Sequence, residues 1–327
     1  MGEFLEARRA ATRERTQGLR ELLTDVSERC GDKASVYATG SVGREEASAK
    51  SDLDFFIADA GSPENRRLSR LDEILVYAGL IDASKKLGFP DLGLGHNLFH
   101  TCDGLVRNLG TPEDDSENTL TARLLLLLES KPLFGESAYL KVIDAILGRY
   151  WRDYPDHQGE FVPAFLANDV LRMWRTFCVN YEAKRKLEPP ERLADARLKH
   201  YKLAHSRLLT CYSALLYLLY VYSESGTVTP LQAKAMVSIT PTARIEYILC
   251  HTDKSALRTA LSTLIERYEA FLQTTGEGDE VLRPRFGGTE HRTYSRQARE
   301  FGECMFNCLE LFSSASVHKT FYRFLLV

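Results

Sequence analysis

Apolar and polar positions keep one rhythm up to about residue 135 and another beyond it. Over residues 3–30, Phe4, Leu5, Ala11, Leu19, Leu22, Leu23 and Val26 recur near helical spacing among Arg and Glu, which predicts one helix. "CGDK" breaks it, and "ASVYATG" is a short run of β-type residues. The small, polar stretch Gly40 to Lys50 reads as a loop with room for one helical turn, and "LDFFIAD" as a second strand. After the turn residues "GSPENRR", the helical period returns through Leu71, Ile74, Leu75 and Ala78. "LGHNLFHT" alternates as a third strand. A helix is expected to begin near Asp115 to Asn118 and to end before Lys131-Pro132; the acidic residues at its start suit the positive end of the helix dipole. From Gly135 onward strand signals fade, and amphipathic segments are predicted at 136–152, 163–186, 196–223, 230–238, 241–250, 254–273 and 292–314. The expected organisation is an α/β domain over 1–135 followed by an all-α helical domain over 136–327. Gln273 to Thr293 reads as the one long polar loop.

Composition narrows the class. Apolar residues at 44% and charged residues at 27% are ordinary for a soluble globular protein. A net charge of −3 excludes a protein that coats nucleic acid, while leaving room for a local basic patch. The most apolar run, "LLTCYSALLYLLYVYS", is short for a membrane span and carries Thr, Ser and Tyr, so it is expected to be a buried helix. The charged opening "MGEFLEARRAATRERTQ" lacks the apolar core of a signal peptide, and Glu6 argues against myristoylation at Gly2. The seven cysteines show no CxxC pair, and Cys304 and Cys308, one helical turn apart, are expected in the core. A cytoplasmic protein with no membrane partner is the expectation.

Candidate chemistry concentrates in "VYATGSVGREEASAKSDLDFFIAD", Val36 to Asp59. Residues two apart on a strand share a face, so Asp52 and Asp54 should point the same way. Two adjacent carboxylates repel unless a cation joins them, and all-oxygen ligation favours Mg²⁺ or Mn²⁺, whose other ligands are waters and substrate phosphates. The Gly40-Ser41 turn offers backbone N–H groups and a hydroxyl to an anion, Gly40 permits close backbone approach, and Arg44 adds a fork for phosphate. Metal-binding carboxylates beside a phosphate-binding turn point to phosphoryl or nucleotidyl transfer.

This arrangement resembles the nucleotidyltransferase superfamily that includes DNA polymerase β, kanamycin nucleotidyltransferase and the CCA-adding enzymes. Their pattern is a Gly-Ser or Gly-Gly, a short helix, then D-x-D on the next strand, here "GSVGREE" and "SDLD". It is most similar to the branch around the PII-protein uridylyltransferases, with further likeness in "EDDSENTLTARLLLLLESKPLFG", "NDVLRMWRTFCVNYEAKR" and "KLAHSR". The resemblance implies a small mixed sheet in the first domain, a helical nucleotide- or substrate-binding domain after it, and an NTP as substrate. It implies triphosphate contacts from Ser41 and Arg44, and metals on Asp52 and Asp54. The superfamily's frequent third carboxylate has no counterpart inside "DLGLGHNLFHT", where Asp91 precedes the strand and Asp103 follows it. Gly95-His96 matches a feature of the uridylyltransferase branch; the base can equally come from the substrate or from a histidine such as His96 or His100.

In the second domain, Arg175, Lys202 and Ser206 are candidate nucleotide contacts, with Arg172, Lys199 and Arg207 on neighbouring turns. An ion-pair network, beginning with Asp169 and Arg172, is the competing account. The acidic run Glu113-Asp114-Asp115 is expected at a helix N-terminus, and Trp174, Phe177, Tyr181, Tyr212, Tyr217, Tyr220 and Tyr222 in the core. The expected activity is metal-dependent transfer of an NMP from an NTP to an acceptor, with release of pyrophosphate, an EC 2.7.7 type of reaction. A protein side chain is the favoured acceptor, with RNA or a small molecule open. A catalytically weak nucleotide-binding regulator and an interaction protein of a toxin or defence system are the alternatives.

Overall fold

The β-type runs pair into a four-stranded sheet of order β3-β2-β1-β4 in the computed structural model, which describes residues 2–90, 92–93, 98–187 and 192–313. β1 (Ala34–Ala38) lies antiparallel to β2 (Phe55–Asp59), with Ala34 opposite Asp59 and Ala38 opposite Phe55. β2 runs parallel to β3 (Phe99–Thr101), and β1 antiparallel to β4 (Lys131–Phe134), so the sheet is mixed. Every residue of β1 and β2 is buried, which is why both read as nearly continuous apolar runs rather than as alternation. The sequence reading missed β4. Its Pro132 is tolerated because β4 is an edge strand, where a missing N–H need not break the ladder.

The expected helix over 3–30 is two, α1 (Glu3–Leu22) and α2 (Thr24–Cys30), broken where the Leu23 N–H is shared between the Leu19 and Arg20 carbonyls. α3 (Gly40–Gly43) is the single turn between β1 and β2. α4 (Arg70–Lys86) has the expected helical period in the opposite phase. Val76, Leu80 and Ala83 face the core with Leu19, Leu23, Val36 and Ile57, whereas Leu71 and Ile74 are 66% and 52% exposed. The misleading residue is Glu73, a charge on the buried face, held there by Arg66 at 2.5 Å and Arg70 at 2.7 Å.

α5 (Cys102–Arg107), α6 (Glu113–Ser116), α7 (Thr119–Glu129) and α8 (Glu136–Tyr150) complete the first unit. The acidic run does open α6, but its middle member has a more specific task. Asp114 is fully buried and bidentate with Arg123, Oδ1 to Nη1 at 2.9 Å and Oδ2 to Nη2 at 2.7 Å. Arg123, equally buried, also donates to the Tyr150 hydroxyl at 2.9 Å and the Leu105 carbonyl at 3.1 Å, so one guanidinium ties α5, α6, α7 and α8 together.

The chain divides into compact units at Met1–Arg152 and Asp153–Val327, which assigns α8 to the first unit, beyond the boundary at 135 read from the sequence. The reason is contact: Tyr139 of α8 lies 6.0 Å from the ring of Tyr37 on β1 and bonds the Ser130 hydroxyl at 2.8 Å. The second unit is helical: α9 (Ala164–Leu187), α10 (Leu193–Lys202), α11 (Leu208–Ser225), α12 (Pro230–Ser238), α13 (Pro241–His251), α14 (Ser255–Thr275), α15 (Asp279–Gly287) and α16 (His291–Ser313). These bounds lie close to the predicted segments, except that the expected polar loop Gln273 to Thr293 contains α15. Leu282 and Phe286, four apart, bury one stripe of it despite Pro284. α10 and α11 are joined through a π-helical segment, Leu203–Arg207. There His205 stacks on Phe271 at 4.6 Å and Phe301 at 4.8 Å, and burial pushes its pKa down to about 4. α11 is the expected buried helix, and among the described residues no helix is long and apolar enough to cross a membrane.

The Asp114–Arg123 pair gives two measurable expectations. Arg123→Met leaves Asp114 buried and unpaired and should cost about 3–5 kcal/mol in urea unfolding. Burial works to raise the Asp114 pKa, but the hydrogen bonds and charge of Arg123, aided by Thr119 and the Gly110 N–H, more than offset it, and the net shift is downward. The folded carboxyl therefore titrates below its unfolded value of about 3.9. Its contribution is complete above that value and disappears as pH falls through the folded pKa. Unfolding of the native protein followed below about pH 4 should show this loss, and Asp114→Asn should lack it.

Candidate active site

The Asp-x-Asp stretch enters β2 with the alternation expected of a strand edge: Asp52 and Asp54 are exposed, and Leu53 between them is buried. Leu53 forms a parallel bridge with Leu92, and its carbonyl accepts from the Gly93 N–H at 3.0 Å. The Asp54 carbonyl accepts from the Thr39 N–H at 2.9 Å, tying the carboxylate to the end of β1 just where the Gly40 turn begins. Two glycines make room for that carboxylate. A Cβ on Gly40 would stand 2.7 Å from Asp54 Oδ2, and one on Gly93 would stand 2.7 Å from Oδ1. Gly40 also has φ +63°, in the left-handed region that a side chain disfavours. The sequence placed Gly40 in a phosphate-binding turn; that it makes room for Asp54, and that Gly93 does the same from the other side, was not expected.

The Gly40–Gly43 turn is held from below by Glu129, the last residue of α7. Its Oε1 accepts from the Gly40 N–H at 3.2 Å and its Oε2 from Arg44 Nη1 at 2.8 Å. Arg44 Nε donates in turn to Glu46 Oε2 at 2.8 Å. The guanidinium that the sequence offered to phosphate is thus only 6% exposed and engaged by two carboxylates. Gly43 is needed for the same packing, because a Cβ there would overlap the Glu129 carbonyl oxygen. Ser41 is half-buried at the head of this turn. Glu45 follows with φ +61°, unusual for a residue with a side chain. Arg13 of α1 holds its carboxylate from Nε at 2.9 Å and Nη2 at 2.7 Å, a hydrogen bond that raises the Arg13 pKa. Arg15 donates to the Ser48 carbonyl at 3.0 Å, so α1 braces the loop between turn and carboxylates.

The donor set fits a hard divalent cation. Two exposed carboxylates, two residues apart in the stretch just before β2, can supply oxygen ligands and leave positions for water and phosphate. Among the described residues, no group of three or more His, Cys, Asp or Glu is placed to hold a metal. Asp103 pairs with Arg107 at 3.5 Å, and His100 is buried on β3 against Phe56. Asp91, Gly95 and His96 lie outside the described residues.

In the second unit, Arg175 is exposed on α9, and Lys202 Nζ stands 3.4 Å from Asp279 Oδ1. The Ser206 hydroxyl, in the π-helical segment, donates to the Lys202 carbonyl at 2.7 Å. Arg172 and Asp169 are 3.9 Å apart, and Arg207 lies over the Phe177 ring at 5.3 Å.

Residues 19–86, from α1 through the turn and both aspartates to the end of α4, match the nucleotidyltransferase domain family. This match covers about a fifth of the chain and lies within the first unit. No curated protein and no solved structure matches the chain.

Glu129→Ala removes an acceptor from both Arg44 and the Gly40 N–H, and an expected loss of about 3 kcal/mol or more should appear in chemical unfolding. Glu129→Gln keeps the shape and should lose less.

Proposed function

We propose that the first unit is the catalytic domain of a metal-dependent nucleotidyltransferase that moves an NMP from an NTP to a hydroxyl on an acceptor protein. The observation that carries this reading is the exposed Asp52/Asp54 pair, with Asp54 set between Gly40 and Gly93 and tied through its carbonyl to the start of the turn. Asp52 and Asp54 hold Mg²⁺ or Mn²⁺, which when bound neutralises phosphate charge and polarises the α-phosphoryl group. Ser41 and the turn bind the triphosphate and keep it in line. Arg44 acts through the turn, as the partner that locks Glu129 and Glu46 in place. The acceptor oxygen bonds to the α-phosphorus, the bond to the β-phosphate oxygen breaks, pyrophosphate departs, and the hydroxyl proton passes to water.

The choice of a protein acceptor rests on the likeness of "GSVGREE" and "SDLD" to the uridylyltransferase branch. The net charge of −3 gives little support to extended RNA contacts. Seven free cysteines suit a reducing, cytoplasmic setting.

The test is incubation with each α-labelled NTP, Mg²⁺ or Mn²⁺, and either cell lysate or total RNA. Label is expected in a protein band, reduced at least about a hundredfold in Asp52→Ala/Asp54→Ala. Label that persists in that variant overturns the site. Label on RNA overturns the acceptor class. NTP binding without transfer would make the protein a nucleotide-binding regulator. In the same assay Gly93→Ala, which crowds Asp54 Oδ1 while leaving both carboxylates in the chain, should lower transfer by about tenfold or more.

A further inference from the structure

Cys304 and Cys308 stand one turn apart on α16, on the side that packs against α14. The sequence expects both in the core, but the structure gives them different places. Cys308 is fully buried, whereas Cys304 is only half-buried and borders solvent. Their thiols converge. Cys308 hydrogen-bonds Cys304, and Cys304 Sγ donates to the Ala260 carbonyl of α14 at 3.5 Å. Packing accounts for Cys308, but it does not call for a second thiol in contact with the first at the edge of the core.

Two thiolates on one helical face are soft ligands, and their number decides which metal they suit. A structural Zn²⁺ takes four ligands, and among the described residues no group of three or more His, Cys, Asp or Glu is placed to hold a metal. A pair of sulfurs alone fits a soft monovalent ion such as Cu(I). A disulfide fits less well, because it needs Cβ atoms about 3.5–4.5 Å apart and helix positions i and i+4 hold them at about 5–6 Å. An ion between the sulfurs spans that gap without unwinding the helix. Binding releases two thiol protons to water and brings in one positive ion, so the complex carries one negative charge. Arg267 of α14, held by Glu300 at 2.7 Å, places its positive charge close enough to act on Cys304 and offsets the excess.

We propose that Cys304 and Cys308 form a two-sulfur binding site for a soft monovalent metal ion of the Cu(I) class. Cys304 gives the ion its way in from solvent, and Cys308 holds the inner position. Nothing in this assignment depends on the nucleotidyltransferase reading of the first unit, and neither cysteine belongs to that unit.

The test is titration of the full chain with Cu(I), supplied as its bicinchoninate complex under argon with ascorbate. The native protein should take up one ion per chain and gain thiolate-to-copper absorption in the near ultraviolet. Cys304→Ser and Cys308→Ala should each weaken uptake at least about a hundredfold, with circular dichroism confirming native helical content. Because Cys304 is half-buried, its serine variant reports even where the loss of Cys308 unsettles the core. Cys250→Ser, at the exposed cysteine of α13, should bind as the native protein does. Excess Zn²⁺ should not displace the ion. The proposal is overturned if the chain takes no copper from bicinchoninate, if Cys304→Ser binds as the native protein does, if Cys250→Ser loses the ion, or if Zn²⁺ displaces it.

Discussion

Glu129 is the constraint on which the candidate active site depends. One buried carboxylate accepts from the Gly40 N–H and from Arg44, and its own carbonyl packs where only glycine fits at position 43. Arg44 carries the connection on to Glu46, so two acids and one base, all inside the protein, set the path of the turn. Groups of this kind are costly to bury singly, and the cost is offset only when all are present and well placed. The turn therefore has little freedom, and Asp54, joined to it at Thr39, inherits its position.

A second buried charge pair does comparable work in the same unit. Arg123 joins Asp114, Tyr150 and the Leu105 carbonyl, and so fixes α7, whose last residue is Glu129. The geometry of the exposed aspartates thus rests on two successive polar clusters beneath them. α1 adds a third restraint from outside, through Arg13 on Glu45 and Arg15 on Ser48. The second unit is built differently. Its interior is mainly apolar and aromatic, with a neutral histidine stacked between phenylalanines, and its buried Arg244 is held by the Met236 carbonyl.

Much of the fold was legible because its signals are local. The seven segments predicted after residue 135 follow from periodicity and account for the helices there apart from α15, and β1 and β2 follow from short β-rich runs between turns. Legibility failed where a polar residue occupies an apolar position or a breaker interrupts a stripe. Glu73 on the buried face inverted the phase assigned to α4; Pro132 masked β4; Pro284 and neighbouring glycines hid α15. Within the site, the two aspartates, Gly40 and Ser41 stood out because they lie within one short stretch. Arg44 stood out too, but its partner did not, because Glu129 is 85 residues away and looks like the polar end of any helix.

By itself the sequence determined the order of elements, the alternation that exposes Asp52 and Asp54 around Leu53, and the match of residues 19–86 to the nucleotidyltransferase domain. These depend on neighbours along the chain and on the twofold period of a strand. Only the tertiary structure decided that Arg44 turns inward, that Gly93 faces Gly40 across Asp54, and that Asp114 is buried against Arg123. The physical reason is the same in each case. A charge or a glycine takes its role from the group placed against it, and that group comes from a distant part of the chain, where spacing carries no trace of the contact.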